Sequence, residues 1–114
     1  MKALSIRQPH AEAIMRGVKP IDFRPRSTDI RGQIYIYASF WRYTTQEEAE
    51  MMKMYGMTDV KCDNLPRGIL IGTVEIWDCT GKDRDFHWHV RNPERVEKQW
   101  KPKNHPQPSW FNPF

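Results

Sequence analysis

Lys19, Asp22 and Arg24 place two cations and one carboxylate within six residues. Asp22 and Arg24 are two apart in a predicted strand, so their side chains share one face of it. Strict alternation turns Lys19 to the opposite face, but an irregular start at Pro20 could aim it inward. A lysine beside a buried acid can act as a general base if desolvation lowers its pKa. The cluster therefore indicates a site for an anionic or base-like ligand, with an ordinary surface lysine as the alternative for Lys19.

Glu75 is the next candidate for chemistry, because it is an acid within an apolar run. Residues 69–79 predict a central strand with apolar side chains on both faces. A carboxylate there must be paired or must line a cavity, since burying a lone charge is costly. We expect Glu75 in a ligand cleft within reach of Lys19 or Arg24. The alternative is a structural ion pair with one of these cations or with Arg7.

Three further residues are candidate ligand contacts. Ser5 and Arg7 are two apart on the first predicted strand and therefore face the same way. The guanidinium fork of Arg7 could hold a phosphate or pair with an acid. Tyr37, with Tyr35 on the same strand face, could stack on bases as sheet aromatics do in single-strand binding. The alternative for both tyrosines is a half-buried place in the strand.

The histidines and cysteines do not predict a metal centre. His87 and His89 would share a strand face, but Cys62, Cys79 and His105 are scattered along the chain. A zinc site needs three or four ligands, usually closely spaced. The sequence also contains no phosphate-binding glycine loop and no nucleophile motif. We therefore expect neither a metal nor another cofactor, and we expect both cysteines to be reduced.

The positive charge is concentrated in the first quarter of the chain. The net charge is +4 for 114 residues. Residues 1–31 hold seven Lys or Arg and three Asp or Glu, whereas residues 32–114 hold eleven of each kind. A local basic surface is typical of proteins that contact phosphates. The alternative is a soluble domain with ordinary surface charge.

The length predicts one domain over residues 1–114. The chain is charged again by residue 7, so it lacks the apolar stretch of a signal peptide. It also contains no apolar run near the roughly 20 residues of a membrane span. We expect a cytoplasmic protein without a membrane partner, and the oligomeric state stays open.

Short strands and two helices must position these residues. A helix is predicted after Pro9 and ends at Gly17, and a second runs over residues 46–55 behind a capping box of Thr44 and Glu47. Asn92 is expected to end a strand. The predicted strands are residues 3–7, 19–24, 33–39, 69–79, 87–90 and 109–111. This composition fits a small, partly closed barrel or an open α+β sheet.

The chain resembles the ASCH domain proteins of the PUA-like superfamily. The resemblance lies in Leu4-Ser5-Ile6-Arg7-Gln8-Pro9, the Gly-x-Lys-x-x-acid-x-Arg run from Gly17 to Arg24, Gly72-Thr73-Val74-Glu75, and the segment from Asn104 to Phe111. It implies a mixed α+β, mostly β fold: a PUA-like barrel of five or six strands with two or three flanking helices. It also implies a cleft beside the barrel for RNA or a nucleotide-like ligand.

The resemblance also implies possible enzyme activities. One branch of the family hydrolyses the acetyl amide of N4-acetylcytidine with a lysine, a threonine three residues later and a strand glutamate. Lys19 and Glu75 match the first and last of these, and Asp22 stands in the threonine position. Other members are nucleases, which offer no residue-by-residue match here.

The sequence therefore favours a nucleic-acid-binding protein, with RNA as the expected partner. Arg7, Lys19 and Arg24 would bind a phosphate or a base edge, while Asp22 and Glu75 would orient them or accept from a base amine. Unstacked bases in pockets are typical of RNA recognition. The first alternative is a hydrolase of a modified nucleoside, with Lys19 as general base and Asp22 or Glu75 activating a water. The second is an interaction module with a vestigial cleft.

Overall fold

Residues 1–104, 106 and 109–114 are described by the computed structural model, and they form one six-stranded sheet with two α-helices. The strands are β1 (Ala3–Arg7), β2 (Ile21–Arg24), β3 (Gly32–Ser39), β4 (Ile69–Lys82), β5 (Asp85–Trp100) and β6 (Trp110–Phe111). The helices are α1 (His10–Met15) and α2 (Thr45–Met54), and a 3-10 turn lies at Cys62–Asn64.

The sheet has the strand order β2-β5-β4-β3-β1-β6. β1 is parallel to β3, and the other neighbouring strands are antiparallel. The sheet curls into a half-barrel, which confirms the predicted mostly β, PUA-like class. β6 pairs with Ala3 and Leu4, so the C-terminal aromatic segment forms the predicted edge strand.

Close packing of α1 on the sheet forms the core. Ile14 of α1 is buried in one cluster with Leu4 and Ile36 of the sheet. A Cβ at Gly72 would lie 2.3 Å from Cε of Met15 and 2.5 Å from the backbone oxygen of Glu94. The tip of Met15 can move aside, but the backbone of β5 cannot, so the close approach of β5 to β4 is what requires glycine here. The packing of α1 on the sheet fixes the start of the helix beside the end of β1.

A buried glutamine fixes the turn between β1 and α1. The side chain of Gln8 is fully buried, and its Oε1 accepts from the backbone N–H of Glu12 at 2.9 Å. Its Nε2 donates to the carbonyl of Pro66, also at 2.9 Å. The glutamine in the N-terminal motif therefore ties this turn to the segment before β4.

Both helices confirm the predicted capping signals. The Thr44 hydroxyl accepts from the backbone of Glu47, whose carboxylate accepts from the backbone of Thr44. Gly17 follows α1 with φ of +76°, a conformation that favours glycine. α2 covers 45–54 rather than 46–55, and β2 begins at Ile21, so Lys19 precedes the strand.

The predicted strand break at Asn92 is wrong. β5 continues through Asn92-Pro93 to Trp100 because the chain forms a bulge there. Thr73 is paired with Glu94 and Glu75 with Arg91, so β5 contains one more residue than β4 between these pairs. Asn92 takes φ of +54° in this bulge, as asparagine tolerates better than most residues. The bulge places Arg91 directly opposite Glu75.

Candidate ligand cleft

An open cleft of about 890 Å³ lies at one edge of the sheet. β1 and β3 are parallel and in register, so their last residues, Arg7 and Ser39, reach this edge together. The cleft is lined by Ser5, Ile6, Arg7, His10, Lys19, Asp22, Phe23, Arg24, Tyr37, Ser39, Phe40, Trp41, Tyr43, Pro106 and Ser109. Six of these residues are sequence-predicted site residues: Ser5, Arg7, Lys19, Asp22, Arg24 and Tyr37.

Asp22 and Arg24 form an ion pair in the wall of the cleft. Nε of Arg24 donates to Oδ2 of Asp22 at 2.6 Å, and both side chains are largely buried. Nη2 of Arg24 donates to the carbonyl of Ser5 at 3.1 Å, and Nη1 lies 3.4 Å from the hydroxyl of Ser109. The guanidinium also lies 5.4 Å from the ring centre of Trp88. These contacts hold Arg24 in one orientation and join β2 to β1.

Lys19 is a desolvated cation on the same wall. Its Nζ lies 5.0 Å from the ring centre of Phe23 and 5.9 Å from that of Tyr55. Burial lowers the pKa of the amine, and the charge of Asp22 opposes that shift only in part. Lys19 can therefore serve as an anion-binding cation or, when it loses a proton, as a base.

His10 and two tyrosines form an aromatic cluster that is not among the predicted site residues. Nδ1 of His10 and the hydroxyl of Tyr55 share a hydrogen bond of 2.6 Å, and the His10 ring packs edge-on against Tyr43 at 5.5 Å. Burial, followed by the charge of Lys19, lowers the pKa of His10. Burial also raises the pKa of Tyr55 to about 12. A neutral imidazole next to Lys19 adds hydrogen-bonding capacity without adding charge.

Exposed aromatic side chains form the rim of the cleft. Phe40 and Trp41, in the segment between β3 and α2, are 68% and 71% exposed, and Phe23 on β2 is 57% exposed. The Phe40 ring packs so closely against Gly68 that a Cβ at position 68 would lie 2.0 Å from the ring. The guanidinium of Arg7 lies 5.2 Å from the centre of the Tyr43 ring. Planar groups thus surround the cationic wall.

The two strand tyrosines do not offer the expected stacking surfaces. Tyr37 lines the cleft but is only 4% exposed, and its ring packs edge-on against Phe111 at 5.3 Å. Burial raises the pKa of its hydroxyl. Tyr35 packs against Phe114 at 5.9 Å. The exposed rings at the rim are better placed for stacking, and only their aromatic residue type was visible in the sequence.

The expectation that Glu75 lies in the cleft is wrong. Its carboxylate accepts from Nη2 of Arg91 at 2.9 Å and from the amide of Asn92 at 3.1 Å, away from Lys19 and Arg24. The hydrogen bond from Arg91 lowers the pKa of Glu75. Glu75 therefore forms a structural ion pair, but with Arg91 rather than with the expected Arg7, Lys19 or Arg24. The predicted catalytic or orienting role of Glu75 has no support in this geometry.

The cleft lining combines cations that suit an anion with aromatic rings that suit a planar group. Arg7, Lys19 and Arg24 supply positive charge, and Asp22 supplies a carboxylate that can accept from an amine. Among the described residues, no cluster of His, Cys, Asp or Glu side chains could hold a metal ion. None of the helices in the described part of the chain is long and apolar enough to span a membrane.

Comparisons with known proteins agree with the N-terminal motif and the fold. The model of the ASCH domain family matches residues 4–111. Activating signal cointegrator 1 is 29% identical over 122 aligned residues in Mus musculus and 28% identical in Homo sapiens. Each alignment covers 91% of this chain but 21% of the relative, so the chain spans about a fifth of the length of these relatives. Because the family match covers nearly the whole chain, the chain belongs to the ASCH domain family.

Proposed function

We propose that this domain binds RNA and holds an unpaired nucleotide in the cleft. The observation that carries the proposal is the charge of the lining, which contains three Lys or Arg residues and one carboxylate in the part of the chain that the structure describes. A phosphate binds where such cations converge, and arginine binds it in a bidentate manner. The rim aromatics offer stacking surfaces for a base.

The parts of a nucleotide fit different parts of the cleft. Arg7 is exposed at the mouth, so it contacts a phosphate of the passing strand. Asp22 and Lys19 lie deeper and face the hydrogen-bonding edge of a base. The Asp22 carboxylate accepts from an exocyclic amine, as on cytosine or adenine, and the Lys19 amine donates to a ring carbonyl. A single unstacked base suits this arrangement better than a duplex does.

Salt-dependent binding of a labelled, unstructured oligoribonucleotide tests this proposal. Arg7→Ala should weaken binding about tenfold at low salt, because one charge-assisted contact is lost. It should also lower the slope of log affinity against log salt by about one. Lys53→Ala is the matched control, since Lys53 is an exposed cation on α2 outside the cleft. Wild-type affinity that does not change with salt, or equal losses in both variants, would contradict the proposal.

A second candidate function is hydrolysis of an acylated nucleoside, and the desolvated Lys19 favours it. Its lowered pKa increases the neutral fraction that can act as a general base beside Asp22. Turnover would rise with pH through the pKa of Lys19, below the ordinary value of 10.5. We expect Lys19→Ala to abolish turnover while retaining much of the nucleoside affinity.

A turnover screen of acetylated nucleosides with wild type and Lys19→Ala separates the two functions. Turnover that Lys19→Ala removes supports the hydrolase. Binding without turnover, weakened in Lys19→Ala, supports RNA binding alone. Equal behaviour of the two proteins in both assays contradicts either role for Lys19.

A further inference from the structure

Four aromatic side chains continue from the cleft across the outer face of the sheet. The ring centres of Phe23 and His87 are 4.9 Å apart, those of His87 and His89 are 6.5 Å apart, and those of His89 and Trp77 are 5.3 Å apart. The guanidinium of Arg91 lies 5.4 Å from the centre of the Trp77 ring at the far end. We name Phe23, His87, His89 and Trp77 the ring row.

Strand alternation and register produce the ring row. On β5, Trp88 and Val90 are buried in the core, so His87 and His89 face outward. β2 pairs with β5 so that Phe23 is directly opposite His87. Rings on adjacent strands therefore become neighbours even though they lie far apart in the sequence.

We propose that the ring row is a second segment of the RNA site, on which bases stack as the strand leaves the cleft. This inference rests on the proposed function. Phe23 belongs both to the cleft lining and to the ring row, so the two surfaces are continuous. Phe23 and Trp77 are 57% and 45% exposed, which leaves ring surface for a base. Aromatic surfaces of this kind stack on successive bases of a single strand with little sequence preference.

The charges around the ring row differ from those in the cleft. The carboxylate of Asp85 lies 3.4 Å from Nε2 of His87, and Glu75 neutralises Arg91 at the far end. Phosphate attraction is therefore weak along this face, and stacking supplies the binding there. It follows that the ring row adds affinity without adding to the salt dependence that the cleft cations produce.

The length of the RNA is the variable that tests the ring row. A dinucleotide fills the cleft alone, whereas an unstructured oligomer of about 12 nucleotides is long enough to reach Trp77. Trp77→Ala should weaken binding of the long oligomer about fivefold or more. It should leave dinucleotide binding and the salt slope of the long oligomer unchanged.

Trp100→Ala is the matched control for Trp77→Ala. Trp100 is also 45% exposed, but it packs against Phe114 at 5.1 Å and belongs neither to the ring row nor to the cleft lining. His89→Ala is a second variant in the middle of the row, in case Trp77→Ala does not fold. Thermal unfolding of each variant establishes that RNA binding is compared between folded proteins.

The outcomes separate this inference from the proposed function. Suppose that wild type binds the long oligomer and that Arg7→Ala weakens this binding. If Trp77→Ala, His89→Ala and Trp100→Ala then bind the oligomer with equal affinity, the ring row is overturned and the cleft stands. If wild type binds neither RNA, both proposals are overturned. A length-dependent loss in Trp77→Ala alone, or shared with His89→Ala, supports the ring row.

Discussion

The ligand cleft and the ion cluster around Glu12 use arginine in opposite ways. Glu12 is buried and accepts from Nε of Arg16 at 2.7 Å and from both terminal nitrogens of Arg95 at 2.7 and 3.1 Å. Arg16 donates as well to both carboxylate oxygens of Asp59. Burial raises the pKa of Glu12, but the hydrogen bonds from Arg95 and Arg16 outweigh burial and lower it. Each charge in this cluster is matched, so the cluster holds α1 to β5.

The cleft lacks this balance. Arg24 is paired with Asp22, but within the described residues no carboxylate lies within ion-pair distance of Arg7 or Lys19. Residues 1–31 supply cations to both regions, yet among the described residues only the Glu12 cluster receives a carboxylate, that of Asp59, from beyond residue 31. The comparison shows that the location of a cation decides whether it is paired with a carboxylate. Under the proposed function, binding depends on the region where pairing is incomplete, whereas complete pairing in the Glu12 cluster stabilises the fold.

The largest effect is expected from Arg24, which lines the cleft but is paired with a buried carboxylate, as the arginines of the Glu12 cluster are. Arg24→Ala should lower the free energy of unfolding by about 3 kcal/mol, because it leaves the buried Asp22 carboxylate without its partner. Arg24→Lys keeps the charge but loses the fork that joins Asp22 to the Ser5 carbonyl, so its loss should be smaller. Urea denaturation measures both. Equal stability of Arg24→Ala and wild type would show that this pair is merely a surface contact.

The next effect concerns the Glu12 cluster. Glu12→Gln should cost about 2 kcal/mol of unfolding free energy, because the neutral amide weakens the bonds from Arg16 and Arg95. RNA affinity should stay at the wild-type value at temperatures where the variant is folded. A loss of RNA affinity in the folded variant would contradict the assignment of binding to the cleft and of stability to the Glu12 cluster.

Much of the cleft was predictable because strand alternation is a local rule. Asp22 and Arg24 lie two residues apart, so a shared face followed from the sequence alone. Ser5 and Arg7 followed in the same way, and a local irregularity before β2 was the expected route for Lys19 into the cleft. These predictions need only the geometry of one strand.

The remaining positions, including that of Glu75 outside the cleft, depend on non-local structure. Glu75 faces Arg91 because of the bulge at Asn92, and alternation along β4 alone contains no information on that register. His10 and the rim residue Trp41 reach the cleft through the turn after β1 and the path from β3 to α2. Their residue types were visible in the sequence, but their positions depend on how distant segments pack.

A smaller effect is expected from His10 in the cleft lining, which should make stability depend on pH. Burial lowers its pKa in the folded protein below the ordinary value of 6.5. As the pH falls through 6.5, the unfolded chain binds the proton first, so stability should decrease until the folded-state pKa is passed. His10→Gln should reduce this decrease between about pH 7 and pH 5. His87→Gln, a change on the outer sheet face, should retain it, and thermal unfolding across this range compares the variants.

The smallest effect is expected from substitution of Glu75. Comparing it with Asp22 distinguishes a paired acid on the surface from the acid in the cleft. Glu75 and Arg91 are 31% and 54% exposed in their side chains, and exposed pairs contribute little because water screens them. Glu75→Gln should therefore leave urea denaturation, dinucleotide binding and any nucleoside turnover at wild-type values. Asp22→Asn is the contrasting variant, since its carboxylate is buried against Arg24 and faces the cleft. It should change both stability and binding. Loss of binding or turnover in Glu75→Gln would mean that this acid reaches the ligand after all, and the assignment of Asp22 as the acid of the site would fail.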